Sequence, residues 1–504
     1  MTARHLLAGC LLAVGAALLA GCGGVPADEG PLLFPGKGLL LISVDTLRAD
    51  RLGSYGYDRD TTPELDAFAE ECVLFEEMYA HSPKTASSHM SLLTGLLPTV
   101  HKVRNKSARL GLVSPVLAKN RLALAQILNR AGYWNACIAG GGNIAPDMGF
   151  GRGFQGRFES ALWDVSRLAD RAAERLEEGR ASGKPPFVFL HTYQVHGPYL
   201  PPPGFEKRFA PDPSPIVGSR VALYRDLPFN KQWSIMNRGP GGDETKAYWY
   251  GKEHFDEREA GYLSDLYDGE VAYTDQELGR FLDGLRESGQ LDELIVVITS
   301  DHGEEFLEHG SLEHDQLYRE LLHVPFLVRL PGGRKGGTRV QGLAGLVDVL
   351  PTVLELLDLE APTNIQGRSL VPAMESGRTQ RQTLVAERVM FPDDYKATLR
   401  SEDTSVLFHA VPGRLEGYDL DGDPGETTDV MGSLPRLAKA AEALKRNLAA
   451  AFQLRDVLDE EDAGGTVEIT PEQVQQMLEL GYVDQQGELP PLEGTPLSRW
   501  PEDG

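Results

Sequence analysis

Positive charge and cysteine are both scarce in this chain. Lysine and arginine number 49 against 74 aspartates and glutamates, which gives a net charge of −25 at pH 7. So acidic a surface argues against broad binding to nucleic acid or to any other polyanion. An anionic substrate would need local positive charge or a metal ion to overcome that field. Four cysteines occur in 504 residues, and Cys10 and Cys22 lie near the N-terminus. Cys72 and Cys137 sit in apolar surroundings and read as buried thiols rather than as a disulfide or a metal pair. Beyond Leu6–Ala20 the chain has no long apolar run, and it has no internal repeat.

That one run follows Met1-Thr-Ala-Arg-His5. It is too short for a comfortable membrane span and ends in small residues, which is a secretory signal pattern. It closes on Leu19-Ala-Gly-Cys22, which resembles the bacterial lipoprotein box, where the cysteine is lipidated and becomes the mature N-terminus. Leu7-Ala-Gly-Cys10 has the same letters but no apolar run before it. A plain cleaved signal or an uncleaved anchor is the alternative. The expectation is an exported protein, tethered to the cell envelope (periplasm or outer surface) through a lipid on Cys22. The chain divides into a signal (1–21), a tether (22–37), a large domain (38–380), a smaller unit (381–455) and an acidic tail (456–504) with a short helix from Pro471.

Gly38-Leu-Leu-Leu-Ile-Ser-Val-Asp45 is a nearly continuous apolar run ending in an acid. It reads as a buried parallel strand with a carboxylate at the C-terminal edge, where open α/β sheets bind ligands. Glu293–Ser300 is a second such strand and runs directly into Asp301-His302-Gly303-Glu304. Further strands are read at 132–139, 186–193 and 324–330. Helices are read at 116–131, 161–178, 256–288 and 345–358, the last with a break at Pro351. Thr61-Thr-Pro63-Glu64 opens another helix. The alternation argues for an α/β fold, a parallel or mixed sheet with helices on both faces. Residues 198–254 are rich in Pro and Gly and weakly periodic, as in a lid. From about Thr383, short strands and a helix at 434–452 read as an appended sheet-and-helix unit.

Between the strand-like Val73–Met78 and the helix-compatible Met90-Ser-Leu-Leu lies Tyr79–Gly95, a cluster of hydroxyls with a lysine and two histidines. A helix N-terminus there presents free N–H groups to an anionic ester. An ordinary helix start capped by Thr85 or Ser87 is the plain alternative. An acid at a strand end is usually a turn former. Asp301-His302 is more specific, since a carboxylate beside an imidazole suits a borderline divalent metal such as Zn²⁺ or Mn²⁺. With Asp45 and a hydroxyl from the Thr85 turn, these residues would make a four-ligand site.

Four ordered motifs carry a family resemblance. Leu41-Ile-Ser-Val-Asp45-Thr-Leu-Arg48 resembles the opening strand of the sulfatases, in the alkaline phosphatase superfamily. Thr85-Ala-Ser-Ser-His89-Met-Ser-Leu-Leu-Thr-Gly95 resembles their nucleophile motif. Thr299-Ser-Asp301-His302-Gly-Glu-Glu, then Glu308-His309-Gly and Tyr318-Arg-Glu, resembles the second metal motif. Tyr418-Asp-Leu-Asp-Gly-Asp423-Pro-Gly-Glu426 is similar to the C-terminal signature. The resemblance implies an alkaline-phosphatase-like sheet, with a smaller C-terminal antiparallel sheet-and-helix subdomain. It also implies one divalent ion, with a second possible: Zn²⁺, Mn²⁺ or Ca²⁺ on Asp45, Thr85, Asp301 and His302.

The departures are specific. The position that becomes formylglycine in a typical sulfatase is Thr85, which cannot be converted, so no formylglycine is expected. The arginine position is His89, the second acid of the first motif is Thr46, and the sulfate-contacting segment aligns near Ala139–Gly142 without its Lys or His. Thr with Asp-His resembles the superfamily's phosphodiesterases and phosphoethanolamine transferases. The resemblance thus implies Thr85 as nucleophile and His196 and His314 in catalysis. It leaves His89, His309, Arg48 and Lys84 as candidate substrate contacts, with His309 and His314 also possible helpers to a second metal. His196 as a turn residue before Pro198, and His309, His314, Arg48 and Lys84 as surface groups, are the plainer readings. The basic run His101–Arg109 is read as a solvated loop or as an anion funnel. The functional expectation is a hydrolase of sulfate or phosphate esters acting on a small-molecule, glycan or lipid substrate. A phospho-group transferase and a non-catalytic binding protein are the alternatives, and the sequence is silent on oligomeric state.

Overall fold

The computed structural model describes residues 30–105, 116–224, 227–229, 231–232, 255–391, 394–462 and 495–501. Cys22, the lipoprotein box and the helix expected from Pro471 lie outside these residues.

Apolar content decides the centre of the fold. Strand β1 (Gly38–Val44) is buried along its whole length. It pairs in parallel with β5 (Pro186–Thr192) on one side and β6 (Leu294–Thr299) on the other. Strands buried on both faces read as unbroken apolar runs, which is why these were legible. Outward from β5 lie β3 (Trp134–Ala139) and β4 (Phe158–Ser160), both parallel. Outward from β6 lie β10 (Phe326–Arg329), antiparallel, then β2 (Val73–Tyr79) and β11 (Thr338–Gly345). The sheet is therefore mixed and nine-stranded, with the short β9 (His323–Val324) pairing onto β2. A two-residue hairpin, β7 (Glu305–Phe306) with β8 (Leu312–Glu313), follows β6. A separate antiparallel sheet is formed by β12 (Leu384–Phe391), β13 (Asp394–Arg400), β14 (Thr404–His409) and β15 (Arg414–Asp419).

Alternation along β1 sorts its side chains. Leu40, Ile42 and Val44 enter a core shared with Val188, Leu190, Val296 and Ile298. Seven helices are named here in chain order. These are α1 (Pro63–Ala69), α2 (Thr85–Thr94), α3 (Leu124–Arg130), α4 (Val165–Ala181), α5 (Glu257–Glu287), α6 (Val349–Leu356) and α7 (Pro435–Asp462). Leu168, Ala172 and Leu176 of α4 and Leu263, Leu266 and Leu278 of α5 cover the Leu40–Val44 face. Ser43 points to the other face, where α2 lies. Helices therefore cover both faces of the sheet. Helix α7 packs on the second sheet and continues past residue 455 to Asp462.

Four expectations are corrected. The helix read at 116–131 is only α3, because Arg121 turns inward to Val100 O (2.9 Å) and Asp459 (2.7 Å). Pro351 does not break its helix. It sits in the first turn of α6, where its missing N–H is one that no carbonyl of the helix would have met. The stretch 198–254 is not loop throughout. Short helices form at Phe205–Phe209 and Val217–Tyr224, the latter opened by Glu259 of α5, which accepts from Ile216 N and Val217 N at 3.0 Å each. Residues 225–226, 230 and 233–254 of that stretch lie outside the described residues. Strand β11 was not foreseen, because Gly336, Gly337 and the bulge before Leu343 interrupt its pattern.

Ile42 is fully buried in the middle of β1. Ile42→Ala should lower unfolding free energy by about 2–5 kcal/mol, through lost transfer and an unfilled cavity, as read by urea denaturation.

Candidate functional site

The C-terminal ends of β1 and β6 place Asp45 and Asp301 side by side. Their join is tight: Thr46 N donates to Asp301 Oδ1 (3.2 Å) and Leu47 N to Ser300 Oγ (2.9 Å). Ser300 Oγ in turn donates to His302 O at 2.7 Å. Gly303 can be nothing larger, since a Cβ there would lie 1.9 Å from Glu320 O. One ligand atom from each of Asp45, Asp301 and His302 lies within 4.8 Å of the others, and all three residues are fully buried. Burial pushes both carboxyls well above the ordinary carboxylate range, and at Asp301 the neighbouring Asp45 charge adds to this. Burial likewise holds the His302 ring well below its usual value, hence neutral.

These three residues fit a divalent cation. Asp45 Oδ1, Asp301 Oδ2 and His302 Nε2 are buried without a hydrogen-bond partner. The His302 tautomer is set for ligation, because Nδ1–H donates to Gly303 O (2.9 Å) and leaves the Nε2 lone pair free. Asp45 Oδ2 is held from behind by His191 Nε2–H at 3.1 Å, and His191 Nδ1 accepts from Gly140 N at 3.3 Å. Such an outer partner orients a ligating carboxylate. His191 was read only as part of a strand. A histidine closing an apolar strand beside two strands that close on acids was the available signal.

Thr85 is the first residue of α2 and is buried. Its hydroxyl hydrogen-bonds toward Asp45 and pulls that carboxyl's pKa down. Neither Thr85 nor Ser87 caps the helix, which corrects the plain alternative. Asn105 Oδ1 accepts from Ala86 N (2.7 Å) in their place, while Ser87 Oγ donates to Val103 O (3.0 Å). Ser88 Oγ donates to Asp301 O at 2.6 Å and ties the helix to the end of β6.

His196 and His314 meet Nε2 to Nε2 at 3.2 Å, and the His314 ring lies 4.5 Å from that of His302. His196 Nδ1 donates to Gly197 O (2.8 Å). His314 Nδ1 faces both Pro83 O (3.1 Å) and Lys84 Nζ (3.4 Å). Two bare lone pairs at this separation would repel, so a proton lies between the two rings. Lys84 is also ion-paired with Asp315.

Three expected substrate contacts are turned elsewhere. His89 is fully buried, accepting from Ser43 Oγ (2.8 Å) and donating to Thr85 O (2.8 Å), so it braces the start of α2. Arg48 is spent on Asp50, Glu308 and Glu304 O. His309 stacks on Tyr318 with centroids 3.6 Å apart, and binds Glu320 Oε1 (2.7 Å) and Glu426 O (3.1 Å). Both nitrogens of His309 are thus bonded to protein. Cys72 and Cys137 are buried free thiols, as read from their surroundings.

A sulfatase family model matches residues 37–359, and a model of the N-sulphoglucosamine sulphohydrolase C-terminal region matches 307–453. The chain is 23% identical to an N-acetylglucosamine-6-O-sulfatase of Bacteroides thetaiotaomicron, over 86% of this chain and 89% of that one. Its fold is similar to a solved structure in complex with its substrate D-glucosamine-2-N,6-O-disulfate (TM-score 0.66, 21% identity, 84% of this chain and 99% of that one). It is also similar to a phosphonate monoester hydrolase of Agrobacterium radiobacter (TM-score 0.61, 21% identity, 83% and 95%).

Burial would lower the His309 pKa, but the Glu320 carboxylate overcomes it and raises the ring to about 9. Its stabilisation is therefore complete below the ordinary value of 6.5 and is lost as pH rises through about 9. Melting curves should show wild type above His309→Gln at pH 6, with the difference gone by about pH 10.

Proposed function

The chain belongs to the sulfatase family, and from that premise we propose that it hydrolyses a sulfate or phosphate ester with Thr85 as nucleophile. One observation carries the reading: Thr85 heads α2 directly against Asp45, beside a buried Asp-Asp-His set with three partnerless ligand atoms. Asp45, Asp301 and His302, with Thr85, would hold Zn²⁺, Mn²⁺ or Ca²⁺. Bound there, the ion supplies a lowered hydroxyl pKa and neutralises charge on the ester.

The chain's own groups account for the remaining work. With its proton released to solvent, Thr85 Oγ1 forms the new bond to sulfur or phosphorus while the bond to the leaving oxygen breaks. The leaving oxygen takes the proton held between His196 and His314. Water then cleaves the Thr85 ester. The N-terminus of α2 places its dipole toward the anion. No formylglycine enters, because threonine lacks the required chemistry. The same intermediate, captured by an alcohol instead of water, would make the enzyme a transferase. Export and tethering through Cys22 fit this reading, and among the described residues no helix is long and apolar enough to cross a membrane.

The protein, reconstituted with Zn²⁺, Mn²⁺ or Ca²⁺, should be screened on aryl sulfates, phosphate monoesters and phosphodiesters. Thr85→Ala should lower kcat at least about 1,000-fold on the active class, with its melting temperature retained. Chelator dialysis should abolish turnover, and metal should restore it. Turnover that ignores both Thr85→Ala and chelation would refute the assignment.

A further inference from the structure

We propose that Glu270 is the positioning residue for His196, its carboxyl fastening both ends of the turn that carries the imidazole. Glu270 lies on α5, far in sequence from every motif that marked the site. Its two oxygens are divided across that turn. Oε2 accepts from Gln194 Nε2 at 2.7 Å, two residues before His196, and Oε1 accepts from Leu200 N at 2.9 Å, four residues after it. Inside the staple, His196 N donates to Tyr193 O (3.1 Å) and Gln194 N to Thr192 Oγ1 (3.1 Å). The turn is thus closed by its own bonds and held against α5 by Glu270.

The chemistry of the fastening requires a carboxyl. Gln194 Oε1 accepts from Val165 N (3.1 Å), at the start of α4. That fixes the side-chain amide, so its NH₂ must face Glu270. Residue 270 therefore meets two donors, an amide NH₂ and a backbone N–H. The ionised carboxyl, the form present above about pH 8, offers an acceptor to each, whereas a glutamine offers one acceptor and turns its own NH₂ toward the second donor. Retaining an acid here is costly. Burial pushes the Glu270 pKa up to about 8 even though both hydrogen bonds act to lower it. An apolar residue would serve the core better, so the cost fits a duty toward the turn.

Position matters because His196 Nε2 meets His314 Nε2 at 3.2 Å. If the turn drifts, that contact and the proton it holds move away from the leaving oxygen. The loss should then grow with the leaving group's need for a proton.

The proposal rests on the hydrolase reading, and the experiment separates the two. In Glu270→Gln, kcat on an alkyl ester should fall about tenfold with KM little changed, and fall less on a nitrophenyl ester, whose leaving oxygen needs no proton. In a His196→Ala background, Glu270→Gln should cost nothing more. Gln194→Met, which cuts the staple from the other end, should reproduce the pattern. Equal losses in both backgrounds and on both leaving groups would overturn the proposal. If wild type shows no Thr85-dependent turnover at all, the hydrolase reading fails instead. Imidazole NMR then decides on positioning alone: the His196 ring signals should shift and broaden in Glu270→Gln, and unchanged signals would overturn it.

Discussion

Two carboxylates held side by side in the interior are the constraint around which this molecule is arranged. Asp45 and Asp301 close adjacent parallel strands, and neither has room to move. Like charges so placed are unfavourable without a cation, and the surroundings are built to keep them in position. His191 holds one from behind, Thr46 N holds the other, and Ser88 ties α2 to the same strand end. The acidic exterior makes the arrangement more consequential. On the proposed function, anion affinity would come from the buried cation site and oriented N–H groups, since the chain as a whole is strongly acidic.

The family's usual arginine in the nucleophile motif is replaced here by a fully buried histidine. His89 is neutral, buried and used as a brace between Ser43 and the Thr85 carbonyl. The substitution thus removes a cation and adds rigidity at the same point. It is consistent with chemistry that leans on metal, not on a guanidinium.

Much of this was legible in the chain. β1 and β6 announced themselves because a doubly covered parallel strand must be apolar throughout, and an acid at its end is then conspicuous. The Asp301-His302 pair was legible for the same reason. What stayed hidden was partnership. Arg48, His89 and His309 have the residue types of an anion site, yet Glu308, Ser43 and Glu320 claim them, and nothing local in the sequence reports such pairings. His191 was hidden differently, since it is both a strand residue and a support. The stretch 198–254 looked structureless because its helix at 217–224 is opened by Glu259, a residue beyond the stretch itself.

The cap of α2 carries a further consequence. Because Asn105 satisfies Ala86 N, the side chain at position 85 has no part in capping the helix. The side chain proposed as nucleophile is therefore not one that caps the helix. Cysteine, serine or threonine can stand there in turn without the helix having to be rebuilt.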